Sequence, residues 1–235
     1  MVRGVRHGPG AATEERPGDP LVLGIDEAGR GPLLGPLVLC GVRASPAARS
    51  TFARLGLLDS KAYGSTAAGK LRRARLAEEI RAHAEVAVRV AEAAEVDRWV
   101  QGAGLNALEQ DLARELIADG AAPTRIVADG ARLFGPLRAE RPELEALDRA
   151  ESVELAVAAA SIVAKAERDA RLAAELGPYE AEFGPIRGGG YCNAGTLSFL
   201  RAYGQCHGVF PACVRTSWRW PELLALRREL GLEDA

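Results

Sequence analysis

The sequence contains few lysines, one methionine and no long apolar run. Only Lys61, Lys70 and Lys165 are lysines among 30 basic residues, and Met1 is the single methionine. No apolar stretch reaches the roughly 20 residues that a membrane-spanning helix needs, and the first residues lack the apolar core of a signal peptide. These absences predict a protein that neither crosses a membrane nor is secreted, and we expect it in the cytoplasm.

Paired cysteines and net positive charge are also missing. The four cysteines form no Cys-x-x-Cys pair, which favours reduced thiols over disulfides. The three cysteines and one histidine between 192 and 213 do not have the spacing of a common zinc site. The formal charge of −2 does not by itself indicate a polyanionic partner.

The apolar pattern predicts an α/β protein. Four buried strands are predicted, the first two forming a hairpin, at 21–26, 35–43, 85–91 and 123–130. Three helices are predicted, the last one ending at Gly177, at 69–84, 104–120 and 154–177. We expect a disordered leader over 1–19, an α/β domain over 20–182, and a helical extension over 183–235.

Carboxylates stand where predicted strands end. Asp26 and Glu27 close the first strand, and Asp129 closes the fourth. Sites in α/β sheets gather at the carboxyl ends of neighbouring strands, and convergent carboxylates are suited to Mg²⁺ or Mn²⁺. Asp129-Gly130 taken alone also fits a simple turn.

Five motifs occur in an order that resembles the ribonuclease HII family. They are GIDEAGRGPLLGPLVL, LLDSKAYG, IVADG, AVAAASIVAKAERDA and GGGY…FLRAYGQCHG…PACVRTSW, and the last is similar to the archaeal-type branch. The resemblance implies a ribonuclease H-like fold, with a mixed central sheet, flanking helices and a helical C-terminal extension. It makes 20–182 the catalytic domain and 183–235 a substrate-binding extension. It also implies a monomeric endoribonuclease that cuts the RNA strand of RNA/DNA hybrids and nicks 5′ of single ribonucleotides in duplex DNA. The sister ribonuclease HIII is less favoured, because only 23 residues precede Gly24.

The resemblance also implies roles for individual residues. Asp26, Glu27 and Asp129 would hold two Mg²⁺ or Mn²⁺ ions. Gly29, Arg30 and Gly31 would grip the backbone around the ribonucleotide 2′-hydroxyl, and Tyr191 would stack on the deoxyribose that follows. Glycines permit close approach, and arginine supplies a fork for phosphate.

The fourth carboxylate departs from the family pattern. Ten residues before Ser161 the family has aspartate, and this chain has Glu151, which we expect to act as the fourth metal ligand. Its side chain is one methylene longer, and Asp148 is an alternative. Loss of this aspartate leaves open a second function, a catalytically impaired protein that binds RNA/DNA hybrids without cutting them.

Two of the rare lysines lie inside motifs. Lys61 and Lys165 could contact phosphate or position carboxylates, although Lys165 could instead pair with Asp169 on the same helix face. The stretch from Phe183 to Trp220 contains no Asp or Glu, which predicts a phosphate-facing surface. Its arginines are Arg187, Arg201, Arg215 and Arg219.

Overall fold

The computed structural model describes residues 20–57, 64 and 66–232. The predicted leader over 1–19 and Lys61 therefore lie outside the described residues. The strands are β1 Val22–Ala28, β2 Leu37–Ala44, β3 Glu85–Ala91, β4 Arg125–Asp129 and β5 Leu144–Leu147. The helices are α1 Pro46–Leu55, α2 Ala67–His83, α3 Ala93–Gln101, α4 Leu105–Ala118, α5 Ala131–Phe134, α6 Leu155–Phe183, α7 Ala194–His207 and α8 Pro221–Leu230.

The strands form one mixed sheet in the order β3-β2-β1-β4-β5. β1 and β2 pair antiparallel, which confirms the predicted hairpin, and β3 pairs antiparallel with β2. β4 pairs parallel with β1, and β5 pairs parallel with β4. The mixed sheet with flanking helices confirms the predicted fold class.

Helices cover both faces of the sheet. Because strand side chains alternate between faces, Val22 and Val42 pack with the alanine-rich start of α6, and Leu23 and Ile25 pack with α4 on the other face. Each face thus has its own buried apolar cluster, and β1 lies at the centre of both.

The contact between α6 and β1 is unusually close at Gly24. A Cβ at this position would lie 2.2 Å from the carbonyl carbon of Ala156 and 2.3 Å from the nitrogen of Val157. The helix backbone therefore lies directly on the strand, which small residues on both sides allow.

The prediction that the third helix ends at Gly177 is wrong. α6 continues through Gly177 and Pro178 to Phe183, where Gly184 follows with φ of 79°. Its last turns carry Tyr179 and Phe183, whose rings pack against Phe199. This tertiary packing outweighs the cost of glycine and proline inside the helix.

Several elements were not predicted. α1 begins with recognisable signals, since Ser45 accepts a hydrogen bond from the Ala48 amide and Pro46 occupies the first turn. β5 has four residues and only one fully buried position, so it lacks a readable strand pattern.

The chain after α6 packs on a third apolar cluster. This cluster joins Leu33 and Leu34 from the loop after β1 to Leu172 of α6 and to Phe199 and Leu226 of the following helices. The extension therefore shares its core with the segment that carries Gly29–Gly31. Among the described residues, no helix has the length and apolarity needed to span a membrane.

We expect opposite effects from two glycine-to-alanine substitutions. Gly24→Ala should lower the free energy of unfolding by about 3 kcal/mol or more, because the new methyl group meets helix backbone that cannot rotate away. Gly177→Ala should raise it by about 1 kcal/mol, because nothing lies within 4 Å and the position is helical. Urea unfolding of both variants measures the two effects, and equal changes would contradict the assigned packing.

Candidate active site

Two aspartates lie side by side at the carboxyl ends of the neighbouring strands β1 and β4. The parallel register pairs Ile25 with Ala128, so Asp26 and Asp129 follow on neighbouring strands. Both lie on the face covered by α6, because they alternate with residues that pack against α4. The convergence expected from the sequence is therefore present in the structure.

Glu27 lies on the opposite face of β1 from Asp26, because consecutive strand residues alternate. Its amide donates a hydrogen bond of 2.8 Å to the Asp26 carboxylate. Burial raises the pKa of Glu27, while Arg30 lowers it and Asp129 raises it. Because their side chains leave β1 on opposite faces, the two adjacent acids approach the site from different directions.

Asp26 is the most enclosed of these acids, with 5% of its surface exposed. Burial, followed by repulsion from Glu27, raises its pKa well above the usual range. A hydrogen bond with Ser161 and the charge of Lys165 act in the opposite direction. The carboxylate is therefore held where its negative charge is unfavourable without further cations.

Glu151 reaches the same cluster through the segment after β5. Burial raises the pKa of Asp129, the Ala150 amide opposes this with a 2.8 Å hydrogen bond, and the charge of Glu151 raises it further. Within the described residues, the buried Oε2 of Glu151 has no hydrogen-bond partner. Asp148 instead accepts a 2.9 Å hydrogen bond from the Ala131 amide, at the start of α5.

A strained residue shapes the segment that carries Glu151. Arg149 has φ of 61°, and it is the one non-glycine residue with positive φ in the described part of the chain. This conformation typically costs about 1–3 kcal/mol. It turns the chain so that the Ala150 amide faces Asp129 and the short 3₁₀ helix Ala150–Ser152 brings in Glu151.

Lys165 belongs to the carboxylate cluster. Its Nζ donates a 2.7 Å hydrogen bond to Oγ of the fully buried Ser161, which also interacts with Asp26. The alternative pairing with Asp169 is not formed, and that carboxylate binds Arg73 at 2.8 Å. Asp169 thereby joins α6 to α2.

A pocket of about 370 Å³ opens beside these acids. It brings together Glu27, the Gly29–Gly31 segment, Lys165 and Tyr191. The Tyr191 side chain is exposed. The predicted substrate-binding residues that the structure describes therefore converge on one cavity.

The two glycines of the Gly29–Gly31 segment differ in their structural need. Gly29 has φ of 90°, and a Cβ there would lie 2.4 Å from the Pro36 carbonyl oxygen. Gly31 has no such constraint, because a Cβ would meet only the Tyr191 ring, at 3.6 Å. Packing inside the protein therefore requires glycine at position 29. At position 31 a side chain would fit, and glycine leaves open space on the pocket side.

Sequence reasoning missed the partners of Arg30. Its guanidinium forms an ion pair with Glu109, which is fully buried, and hydrogen bonds to Asn106 at 2.5 Å. The signal was present, since Glu109 stands directly after Leu108 on the apolar face of α4. A buried acid on such a face requires a cationic or hydrogen-bonding partner.

The expected basic surface of the extension is partly wrong. Arg215 is fully buried, and Arg201 is engaged by Glu229 in two hydrogen bonds of 2.7 and 2.9 Å. Arg187 and Arg219 are exposed. Two of the four arginines are therefore engaged within the protein, and the acid that binds Arg201 lies in α8, outside the stretch from 183 to 220.

The donor set of the cluster fits a hard divalent cation. Asp26, Glu27, Asp129 and Glu151 offer only carboxylate oxygens, which Mg²⁺ and Mn²⁺ prefer. No three potential ligands within the described residues are arranged as a preformed metal-binding group. The mutual repulsion of the acids and the unpartnered oxygen of Glu151 are nevertheless what bound cations would relieve.

The comparisons with known proteins agree in family and fold. The sequence model of the family described as Ribonuclease HII matches residues 23–220. The chain is 35% identical to Ribonuclease HII of Methanothermobacter thermautotrophicus, over 84% of this chain and 95% of that protein. It is 36% identical to Ribonuclease HII of Haloarcula marismortui, over 90% and 99% respectively.

A solved structure has the same architecture. The ribonuclease H2 from Pyrococcus horikoshii superposes with a TM-score of 0.75 and 25% identity, covering 90% of this chain and 99% of that one. All three of these relatives are archaeal proteins, as the C-terminal motif predicted. The chain therefore belongs to the ribonuclease HII family, and it is a ribonuclease H endonuclease.

Proposed function

We propose that this protein hydrolyses the RNA strand of RNA/DNA hybrids and nicks 5′ of single ribonucleotides in duplex DNA by two-metal-ion catalysis. Its family supports ribonuclease H activity on hybrids. The observation that carries the finer proposal is the adjacency of the four-carboxylate cluster to the pocket that contains Gly31 and Tyr191.

Four carboxylates would hold the ions. Asp26 and Asp129 lie on adjacent strands, Glu27 enters from the other face, and Glu151 approaches from the segment after β5. Bound Mg²⁺ or Mn²⁺ would supply Lewis acidity for phosphodiester hydrolysis and neutralise charge that develops on oxygen. Ser161 and Lys165 orient the Asp26 carboxylate and limit its protonation.

Glu151 is the preferred fourth ligand over Asp148. Its charge acts directly on Asp129, and one of its oxygens is buried without a partner in the described residues. The Asp148 carboxylate is already bound to the Ala131 amide. Lys61, which lies outside the described residues, remains a proposed phosphate contact.

Recognition of the ribonucleotide would use the wall of the pocket beside the carboxylates. Gly31 presents backbone without a side chain, and Arg30 is preoriented by Glu109 and Asn106. The exposed Tyr191 ring offers an apolar face for the following deoxyribose. A 2′-hydroxyl held at this wall would distinguish RNA from DNA at the cleavage position.

The first test addresses the metal ligands. Asp26→Asn or Asp129→Asn should reduce turnover by at least about 100-fold, because charge stabilisation in the transition state is lost. The Tm without metal should stay equal or rise, since each substitution removes a repelling charge. Mn²⁺ should raise the Tm of the natural protein more than that of either variant.

The control for this test is Asp169→Asn, which removes an acid bound to Arg73 outside the cluster. It should preserve the response of the Tm to Mn²⁺. Near-natural turnover by either cluster variant would contradict the two-metal assignment.

The second test separates Glu151 from Asp148. The longer glutamate arm is less preorganised than aspartate, and a misplacement of about 1 Å can cost about 100-fold in rate. Because Mg²⁺ demands near-ideal octahedral geometry, Mn²⁺ should support the higher rate. Glu151→Gln should depress the rate with both ions, and Asp148→Asn should have a mild effect.

Rates on one duplex containing a single ribonucleotide, measured with each ion, decide between these residues. A severe Asp148→Asn and a mild Glu151→Gln would transfer the ligand role to Asp148. Strong hybrid binding by the natural protein without cleavage in either ion would support the impaired hybrid-binding alternative.

The third test concerns the proposed ribonucleotide wall. Gly31→Ala should leave the Tm within about 2 °C, because the new methyl group makes only an ordinary contact with Tyr191. It should lower the preference for a ribonucleotide-containing duplex over an all-DNA duplex, since the methyl group occupies space needed for close approach. Gly29→Ala is the matched control, and it should lower the Tm because of its positive φ and the contact with Pro36. An unchanged preference in Gly31→Ala would remove this glycine from recognition.

A further inference from the structure

The Gly29–Gly31 segment is held from outside the catalytic sheet by two side chains of the extension. Arg215 donates from Nη1 to the Arg30 carbonyl at 3.3 Å and from Nε to the Gly35 carbonyl at 3.0 Å. Trp218 donates from Nε1 to the Gly31 carbonyl at 3.2 Å. Two consecutive carbonyls of the proposed recognition segment are therefore fixed by residues about 185 positions away.

The geometry of the peptide bond makes this arrangement directional. In a planar trans peptide, the carbonyl of one residue and the N–H of the next point in opposite directions. Arg215 binds the Arg30 carbonyl, so the Gly31 N–H points away from the Arg215 guanidinium. The peptide after Gly31 ends in Pro32, which has no N–H, so Trp218 fixes a unit that presents only its carbonyl.

The backbone that carries the two side chains is bound at several points. Asp97 of α3 accepts four hydrogen bonds from the backbone amides and hydroxyls of Thr216 and Ser217, at 2.5–3.0 Å. The Arg215 amide donates to the Leu33 carbonyl at 2.9 Å. The segment from Arg215 to Trp218 is thus bound both to α3 and to the loop after β1.

Arg215 is held in an energetically demanding place. It is fully buried, its hydrogen bonds go to carbonyl oxygens, and its guanidinium lies 5.2 Å from the centre of the Trp218 ring. Burial lowers the pKa of Arg215 to about 10. A buried cation is costly to maintain, and here it fixes the backbone beside the pocket.

We propose that Arg215 and Trp218 are positioning residues, which orient the peptide groups of Arg30 and Gly31 for recognition of the ribonucleotide. This inference rests on the proposed function of the Gly29–Gly31 segment. It assigns to the extension a role beyond surface contact with nucleic acid, because the extension determines how the recognition segment of the catalytic domain is presented.

Trp218→Phe tests the proposal with a small change, since it removes the indole N–H and keeps an aromatic ring. The preference for a ribonucleotide-containing duplex over an all-DNA duplex is measured as the ratio of two dissociation constants. We expect this ratio to fall about fivefold, the effect of one ordinary hydrogen bond. Arg215→Lys, which keeps the charge and loses the fork that reaches two carbonyls, should lower the ratio as well.

Trp99→Phe is the matched control. Trp99 lies on α3 and, like Trp218, packs against the apolar cluster between the sheet and α4. In the described part of the chain its indole donates no hydrogen bond to the Gly29–Gly31 segment. Its ratio should equal that of the natural protein. If Trp218→Phe lowers the Tm, the measurement is made well below that Tm. The ratio then compares two duplexes on one folded population, so a purely structural role leaves it unchanged.

The outcomes distinguish this inference from the proposed function. A reduced ratio in Gly31→Ala, Trp218→Phe and Arg215→Lys supports both. A reduced ratio in Gly31→Ala with natural ratios in the two extension variants overturns the positioning role alone. A natural ratio in all three variants overturns recognition by this segment and the positioning role together.

Discussion

The direct contact between α6 and β1 is the constraint on which the candidate site depends. Gly24 has no space for a Cβ, because the backbone of Ala156 and Val157 lies against it. This approach sets the distance of α6 from the strand that carries Asp26. Ser161 and Lys165, one and two turns further along the helix, consequently reach the carboxylate at the end of that strand. A larger residue at the contact would displace the helix and its polar side chains together.

The carboxylate cluster is arranged so that its charges remain unfavourable in the free protein. Burial and mutual repulsion raise the pKa of Asp26, Glu27 and Asp129. Neighbouring groups oppose these shifts in part. Lys165 lowers the pKa of Asp26, Arg30 lowers the pKa of Glu27, and the Ala150 amide donates a hydrogen bond to Asp129. Such partial compensation is suited to a site that gains stability when cations bind.

The extension and the central sheet are connected through the loop after β1. The loop residues Leu33 and Leu34 contribute to the apolar core of the extension, and their amides donate to the Gly190 carbonyl beside Tyr191. Asp97 clamps Thr216 and Ser217 from the other side. The pocket wall is therefore built by segments from both ends of the chain, and its geometry depends on their packing.

Elements with a clear apolar period, and the residues that lie at their ends, could be read from the amino-acid pattern alone. The hairpin, the long helix and the convergence of Asp26 with Asp129 could be predicted, because alternation and strand order are local or topological properties. The end of α6 could not be predicted from Gly177 and Pro178, because packing of Tyr179 and Phe183 on Phe199 decides it.

The partners of the long charged side chains depend on the packing of the whole fold, and the sequence did not predict them. Arg215 was expected on a phosphate-facing surface, and it is buried. Lys165 binds Ser161 rather than Asp169, and Arg30 forms an ion pair with Glu109. The partners of Arg215 and Arg30 lie on other elements, and Ser161, the partner of Lys165, also interacts with Asp26 of β1. A charged side chain binds whichever opposite charge or carbonyl the fold brings within reach, and sequence spacing does not encode that distance.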